Sequence, residues 1–269
     1  MSFIEPHEEK ARIAVIGGTG VYDPSIFRDS KDLKISTPYG PPSSFLSLGS
    51  YEGEKVAFIP RHGRNHSIPP HLINYRANIY ALKLLGVERI ISVSSVGSLQ
   101  ENLKPGDFAI PDQFIDRTRK RADTFFDGSL VAHISSANPF CPEIRERLYA
   151  SANSLQIPIH SQSTYVCIEG PRFSTRAESK LFREWGADLV GMTLYPECVL
   201  AREAEICYAS IAMVTDYDVW AEKPVSADEV ATVMRKNVNA AKKLVLDTIR
   251  TVPAKRSCSC GKALTGAIL

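Results

Sequence analysis

The sequence lacks long apolar segments and a strong excess of either charge. It contains no run of about 18 apolar residues, and its first ten residues are rich in charge and lack an apolar core. We therefore predict neither a transmembrane segment nor a secretory leader, and we expect a cytoplasmic protein. The 32 basic and 30 acidic residues give a formal net charge of only +2. That balance argues against nucleic acid and membrane surfaces as partners.

Metal-binding cysteine patterns are also missing. The six cysteines form no paired CxxC motifs and have no histidines at zinc spacing, so we predict no metal site. Cys258 and Cys260 lie in a polar tail, where we do not expect them to be buried. We expect them instead to take part in redox chemistry or to form a disulfide that fixes the tail. Glutamine is scarce as well, and this scarcity together with the cysteines favours a thermophilic source.

What is present is an alternation of short β-branched segments with helical periodicity. No repeat or flexible linker divides it, so we predict one α/β domain over 1–253 and a tail over 254–269. The last helix has aliphatic side chains every three or four residues from Val230 to Ile249 and is predicted to pack on the sheet. The predicted strands are 12–16, 55–60, 89–94, 107–111, 163–168, 188–192 and 208–215, and the predicted helices are 71–85, 142–155, 174–185, 196–206 and 227–249.

Two acidic residues end the apolar run 209–214, in the sequence Thr215-Asp216-Tyr217-Asp218. Alternate side chains of a strand share a face, so the two carboxylates are predicted to project together. Their mutual repulsion raises the pKa of at least one of them, which then suits a general acid. The alternative is that this segment only caps the following helix or forms an Asx turn.

A glycine-rich turn, Gly17-Gly18-Thr19-Gly20, follows the first predicted strand. A dinucleotide-binding turn needs a third glycine or alanine where Asp23 stands, and no Walker-type lysine follows. The segment therefore predicts a phosphate cradle of backbone N–H groups with the Thr19 hydroxyl. A simple tight turn that needs glycine backbone angles is the alternative.

Basic and hydroxyl side chains follow two other strands. Residues 61–66 read Arg-His-Gly-Arg-Asn-His directly after a strand, and residues 92–98 are rich in serine. Ligands bind at the carboxyl ends of strands in α/β sheets, and arginine matches phosphate with a bidentate fork. We predict a phosphate site here, with a solvated basic loop as the alternative.

An aromatic side chain, Phe173, stands at the mouth of the helix predicted from Ser174. It is predicted either to stack on a flat heterocycle or to pack under the helix start as a hydrophobic staple.

In chain order, the motifs GGTG, RHGRNH, SSVGSL, EGPRFSTRAE, GMTLYPE and TDYD resemble the trimeric purine nucleoside phosphorylase superfamily, and within it most of all the methylthioadenosine phosphorylases. The resemblance runs from about Ile13 to Ile249. It implies a single α/β domain with a mixed, partly barrel-like sheet flanked by helices, assembled as a homotrimer or as a hexamer of two trimers. It also implies phosphorolysis of a nucleoside, with inorganic phosphate as co-substrate and no metal or organic cofactor.

The resemblance assigns roles to individual residues. Met192 is implied to face the ribose and Phe173 to lie beside base and sugar. The residues implied to bind phosphate are Thr19, Arg61, His62, Ser94, Ser95 and Thr193. Those implied to close the pocket around the 5′ end of the sugar are His66, His133 from a neighbouring subunit, Ala227, Val230 and Ala231.

The choice of base depends on two positions in this comparison. Relatives that act on 6-oxopurines carry Glu where this chain has Ser174, and Asn where it has Asp216. A carboxylate suits the amino group of adenine and repels a 6-oxo group. We expect Asp216 to protonate N7 of the leaving base and Asp218 to accept from the exocyclic amine. The expected substrate is 5′-methylthioadenosine, with some activity on adenosine.

Three alternatives stay open. A 6-oxopurine phosphorylase would prefer inosine or guanosine, which the paired aspartates disfavour. A nucleosidase would use water and would not need the phosphate donors. A non-catalytic nucleoside-binding protein would not need Asp216 or Arg61.

Thermophilic relatives with intrachain disulfides resemble this chain in ending with a CxC tail. The resemblance implies a disulfide between Cys141 and Cys207, and one that joins Cys260 to either Cys258 or Cys198.

Overall fold

One long strand, β5 (Arg89–Ser98), lies at the centre of the fold. It pairs in parallel with β1 (Ile13–Gly17) and with β11 (Cys207–Asp216), and antiparallel with β10 (Leu189–Gly191). The structure, a computed structural model, describes residues 7–18, 27–221 and 226–269. Because β1 and β10 pair with opposite ends of β5, the sheet branches at this strand.

Eleven strands within the described residues form a single mixed sheet. The other seven are β2 (Arg28–Leu33), β3 (Leu46–Tyr51), β4 (Glu54–Pro60), β6 (Phe108–Ala109), β7 (Gln113–Arg117), β8 (Ile159–His160) and β9 (Thr164–Ile168). The main order is β2-β3-β4-β1-β5-β10-β9-β7, and β11, β6 and β8 extend from the other edge of β5. The predicted α/β domain with a mixed sheet flanked by helices is confirmed.

Helices cover both faces of the sheet. They are α1 (Tyr75–Leu84), α2 (Pro142–Ser154), α3 (Arg176–Glu184), α4 (Leu194–Glu203) and α5 (Ala227–Thr251). In β1, Ala14 and Ile16 pack in one core cluster with α1 and α4. Ile13 and Val15 pack in a second cluster with α2 and α5. The alternation along β1 therefore separates two buried layers.

Several predicted boundaries are wrong. Strands β2, β3, β7 and β8 were not expected; β2 is a polar, largely exposed edge strand without the alternation that marks a half-buried one. The helix predicted from residue 71 begins at Tyr75, because the Asn74 side chain caps it by accepting from Ala77 N. The helix predicted from residue 174 begins at Arg176, after its capping residue Thr175. The strand predicted at 107–111 is reduced to β6.

The C-terminal tail packs against the rest of the chain. Arg256 Nη1 donates to Glu205 O at 2.9 Å, and His133 N donates to Ala267 O at 2.8 Å. Cys260 is only 5% exposed and lies in the core cluster with α2 and α5. The expectation that the CxC cysteines are not buried is therefore wrong for Cys260. No helix in the part of the chain that the structure describes has the length and apolar character needed to cross a bilayer.

Candidate active site

The carboxyl ends of β4, β1, β5 and β11 open onto a cavity of about 680 Å³. These strands run parallel, so the segments that follow them meet at one edge of the sheet. Thr19 lies outside the described residues, and His133 is exposed away from this cavity. The other predicted phosphate and substrate residues all line it: Arg61, His62, His66, Ser94, Ser95, Phe173, Met192, Thr193, Asp216, Asp218, Ala227, Val230 and Ala231.

Arg61 is 1% exposed and is held by a buried carboxylate. Its Nε and Nη2 donate to the two oxygens of Glu197 at 2.7 and 2.8 Å. Nη2 also donates to Ser92 Oγ at 2.6 Å, and Nη1 donates to Val93 O at 3.0 Å. Burial opposes the positive charge, but Glu197 outweighs it and raises the pKa of Arg61. A guanidinium has five N–H groups, so within the described residues one N–H of this cation is left for a ligand.

His62 is neutral and its tautomer is fixed. Its Nδ1 lies 2.8 Å from Ile68 O, which can only accept, so Nδ1 carries the proton. Burial and the neighbouring Arg61 charge lower the pKa of His62 to about 4. The neutral Nε2 of His62 is therefore an acceptor and not a donor. It suits a phosphate oxygen that still carries a proton.

Two hydroxyl groups at the cavity are not used elsewhere in the fold. Ser94 Oγ is buried and makes no hydrogen bond of normal geometry among the described residues, although the Tyr165 hydroxyl lies near it. Thr193 stands at the N-cap position of α4, yet its side chain makes no capping bond. Both hydroxyls are therefore available to donate to an anion.

Asp216 ends β11 and is held by its own neighbours. Its Oδ2 accepts from Thr215 Oγ1, and its Oδ1 accepts from Asp218 N, each at 2.8 Å. Asp218 begins a short 3₁₀ helix with a φ of 50°. The prediction that the two carboxyls share a strand face is wrong, because the strand ends at Asp216 and an Asx turn follows. The turn nevertheless directs both carboxyls to the same cavity.

The pKa of Asp216 is raised to about 6, mainly by burial. The charge of Asp218 contributes less, and the hydrogen bonds from Thr215 and from the Asp218 amide act in the opposite direction. The expected direction is confirmed, but its main cause is loss of water and not the repulsion between carboxylates.

Asp218 keeps one carboxylate oxygen unpaired. The side chain is 3% exposed, and Oδ2 has no hydrogen-bond partner within the described residues. The hydroxyls of Ser174 and Ser179 are near, but neither makes a hydrogen bond of normal geometry. Burial raises the pKa of this group too. A buried acceptor without a partner is costly, and a donor on a bound ligand would satisfy it.

Two glycines allow the close approach of these groups. A Cβ at Gly97 would lie 2.8 Å from Asp216 Oδ1, and a Cβ at Gly170 would lie 2.6 Å from Met192 Sδ. Gly170 also has a φ of 67°, which side chains rarely adopt. The positions of Asp216 and Met192 therefore depend on glycine at these two sites.

Apolar groups form the rest of the wall. Phe173 is 38% exposed, lines the cavity and belongs to none of the buried core clusters, so it is not a staple under α3. In α5, Val230 and Met234 face the cavity, and buried residues begin only at Ala241. Met234 also packs partly against the core cluster of α2 and α5, so the prediction that this whole face packs on the sheet is wrong for Val230 but not for Met234.

Comparison with known proteins identifies the family. A sequence profile described as the Phosphorylase superfamily matches residues 12–250, a range that includes every strand of the sheet. The chain belongs to the Phosphorylase superfamily. The S-methyl-5'-thioadenosine phosphorylase of Thermofilum pendens is 60% identical over 261 residues, which cover 97% of this chain and 100% of that protein. The protein of the same name from Saccharolobus solfataricus is 57% identical over 265 residues, which cover 97% and 98%.

Solved structures of the superfamily share the fold over almost the full length. A methylthioadenosine phosphorylase from an antarctic soil metagenomic library aligns with a TM-score of 0.93 at 47% identity, covering 97% of this chain and 93% of that one. A mutant adenosine/methylthioadenosine phosphorylase from Schistosoma mansoni, in complex with methylthioadenosine, aligns with a TM-score of 0.90 at 38% identity, covering 96% of each chain.

Glu197, for which no role was predicted from the sequence, holds Arg61 at the site. The Glu197 side chain is fully buried. Besides the hydrogen bonds from Arg61, it accepts from Ser92 Oγ at 2.9 Å and from Tyr208 Oη at 2.8 Å. The signal available in the sequence was an acidic residue among apolar ones at the start of a predicted helix.

All six cysteines have free thiols in the structure. Cys198 packs in the core cluster that contains Cys167, whereas Cys260 belongs to the other cluster, so the predicted Cys198–Cys260 pair is wrong. The disulfides Cys141–Cys207 and Cys258–Cys260 stay predictions. Four sulfur atoms lie together, those of Cys141, Cys207, Cys258 and Cys260.

Proposed function

We propose that the chain is a pentosyltransferase that cleaves 5′-methylthioadenosine with inorganic phosphate to give adenine and 5-methylthioribose 1-phosphate. The observation that carries the proposal is a carboxyl group with a pKa near 6, that of Asp216, in one cavity with the cationic Arg61. The reaction needs both an acid for the base and a cradle for the anion. The printed names of relatives at 60% and 57% identity support the choice of substrate.

Phosphate is proposed to bind where β4 and β5 end. The remaining N–H of Arg61 and the hydroxyls of Ser94 and Thr193 supply donors, with Ser95 and Thr19 as further proposed contacts. The neutral Nε2 of His62 accepts a hydrogen bond from the hydroxyl of a monoprotonated phosphate, which keeps its proton. Phosphate is a co-substrate, and no metal or organic cofactor takes part in the reaction.

The proposed reaction is displacement of the purine by phosphate at the anomeric carbon, C1′. A phosphate oxygen forms a bond to C1′ while the bond from C1′ to N9 breaks and its electron pair moves into the purine. Asp216 gives its proton to N7, so the base leaves neutral. The negative phosphate stabilises the positive charge that develops on the sugar ring.

Base choice is proposed to depend on Asp218. Its unpaired Oδ2 is an acceptor, and the amino group of adenine supplies a donor. A 6-oxo group would place a second acceptor against this carboxylate, which is unfavourable. The same residue therefore favours adenine nucleosides over inosine and guanosine.

The 5′ end of the sugar is proposed to lie against the first turns of α5. Ala227, Val230 and Ala231 supply an apolar wall there, and His66 lies at the same cavity. An apolar pocket rejects an added hydroxyl only weakly, so adenosine is expected to react as well. His133 is exposed away from its own cavity, which supports a homotrimer or hexamer in which it reaches a neighbouring site.

The proposal is tested by incubating the purified protein with methylthioadenosine, adenosine or inosine, with and without phosphate, and separating the products by chromatography. We expect adenine release that requires phosphate and gives a sugar 1-phosphate. Release without phosphate would establish a nucleosidase. Release of hypoxanthine alone would establish a 6-oxopurine phosphorylase, and no release from any nucleoside would favour a binding protein.

The rate is expected to depend on pH through Asp216. Only the protonated acid can donate, so kcat/KM should fall as the pH rises above about 6, where the raised pKa of Asp216 lies. Phosphate also ionises in this range, which affects every variant equally. The measurement is therefore the ratio of kcat/KM for the wild type to that for Asp216→Asn between pH 5 and 8. A ratio that does not fall with pH would contradict the role of Asp216 as the acid.

A further inference from the structure

Four cysteines from three separate segments meet on the side of the sheet that α2 and α5 cover. Cys141 precedes α2, Cys207 begins β11, and Cys258 and Cys260 belong to the tail. Their four sulfur atoms lie within 4.8 Å of one another, and the sulfurs of Cys207 and Cys258 are 3.3 Å apart. None of the four lines the substrate cavity.

These distances are close to those of a tetrahedral thiolate site. A zinc–sulfur bond of about 2.3 Å places the four sulfurs of a tetrahedron about 3.8 Å apart. The upper limit of 4.8 Å exceeds this value by about 1 Å, and the 3.3 Å between the sulfurs of Cys207 and Cys258 falls short of it by about 0.5 Å. Four sulfur ligands select soft or borderline cations such as Zn²⁺ over Mg²⁺ or Ca²⁺.

The surroundings suit the charge of such a site. Four thiolates around one divalent cation carry a net charge of −2, and the guanidinium of Arg256 lies against the sulfurs of Cys207 and Cys258. Backbone N–H groups of Ile144 and Cys260 lie near the sulfur atoms of Cys141 and Cys258, respectively. Such outer contacts orient thiolate ligands and moderate their charge.

We propose that the protein with these thiols reduced, and therefore without the predicted Cys141–Cys207 and Cys258–Cys260 disulfides, binds one thiophilic divalent cation, of the class of Zn²⁺, through all four sulfur atoms. The ion ties the tail to the start of α2 and to the start of β11. The site is independent of the proposed reaction, because it lies outside the substrate cavity. Cysteine spacing in the sequence detects only metal sites whose ligands are close along the chain, whereas these four ligands come from distant segments.

The test uses the full-length protein, reduced with a phosphine under argon, stripped of metal and checked for six free thiols. We expect titration with Co²⁺ to give the visible absorption of a tetrahedral thiolate complex, complete at one equivalent per chain and abolished by Zn²⁺. Added Zn²⁺ should also raise the Tm of the reduced protein.

Matched variants locate the site. Cys258→Ser and Cys260→Ser should each weaken Co²⁺ binding by about 100-fold or more, because even outer contacts of a metal site are worth 10- to 100-fold. Cys198→Ser replaces a buried cysteine outside the cluster and should keep the full signal. Retained nucleoside cleavage shows that a variant is folded, and Cys258, half-buried in the tail, is the substitution that disturbs packing least.

The proposal fails if the reduced wild type takes up no stoichiometric Co²⁺, or if Cys198→Ser loses the signal as Cys260→Ser does. It also fails if the folded protein keeps these four sulfurs in two disulfides that the phosphine does not reduce.

Discussion

Asp216→Asn is expected to lower kcat by about 100- to 10,000-fold, the contribution usual for a positioned general acid, while the KM for nucleoside changes little. Asparagine keeps the shape of the side chain: its carbonyl oxygen can still accept from the Asp218 amide, and its NH2 group can donate to the Thr215 hydroxyl, which now accepts. It cannot give a proton to N7. The loss therefore falls on the step in which the base leaves, and steady-state kinetics with methylthioadenosine measures it.

Two controls test whether the loss of kcat in Asp216→Asn results from the missing proton donor. Asp247→Asn changes a carboxyl at the other end of α5, which pairs with Arg250, and should leave kcat unchanged. A 7-deaza analogue of the substrate has no N7 to protonate, so the wild type and Asp216→Asn should cleave it at similar slow rates. Full activity of Asp216→Asn on methylthioadenosine would rule out the proposed acid.

Arg61→Met is expected to abolish phosphate saturation and to destabilise the protein by about 3–5 kcal/mol, because it leaves a buried carboxylate without its partner. Glu197 is fully buried and accepts two of the four hydrogen bonds that Arg61 donates. Denaturant unfolding at fixed protein concentration measures the stability, and initial rates against phosphate concentration measure the binding.

The double variant Arg61→Met/Glu197→Met separates the two effects. Removing both charges together eliminates the unpaired carboxylate, so we expect it to recover a large part of the stability lost in Arg61→Met. It should not recover phosphate binding, because the donor is still missing. If the double variant is no more stable than Arg61→Met, the buried pair is not the source of the destabilisation.

The local parts of the site were predictable from the sequence because parallel strands end at one edge of a sheet. Arg61, Ser94 and Asp216 each follow or end an apolar run, so their convergence follows from the fold class alone. The partner of Arg61 was not predictable in this way. Glu197 is 136 residues away from Arg61, and no local pattern links the two.

The same limit applies to other contacts between distant segments. The cysteines at positions 141, 207, 258 and 260 are scattered along the chain, and only the packing of the tail brings their sulfurs together. The direction of the Asp216 pKa shift could be predicted from the neighbouring acidic residue. Its main cause could not, because burial depends on how β5 and α5 enclose the cavity.

The first half of α5 lines the cavity, whereas the second half is buried in the core. Val230, Ala231 and Met234 lie against the cavity, whereas Ala241 and Val245 anchor the same helix in the core. We expect substitutions at Val230 and Ala231 to reshape the pocket proposed for the 5′ group at little cost in stability, because neither residue belongs to a buried core cluster. New sugar substituents can therefore be accommodated by variation within three turns of one helix, which makes this segment the natural target for a directed-evolution library.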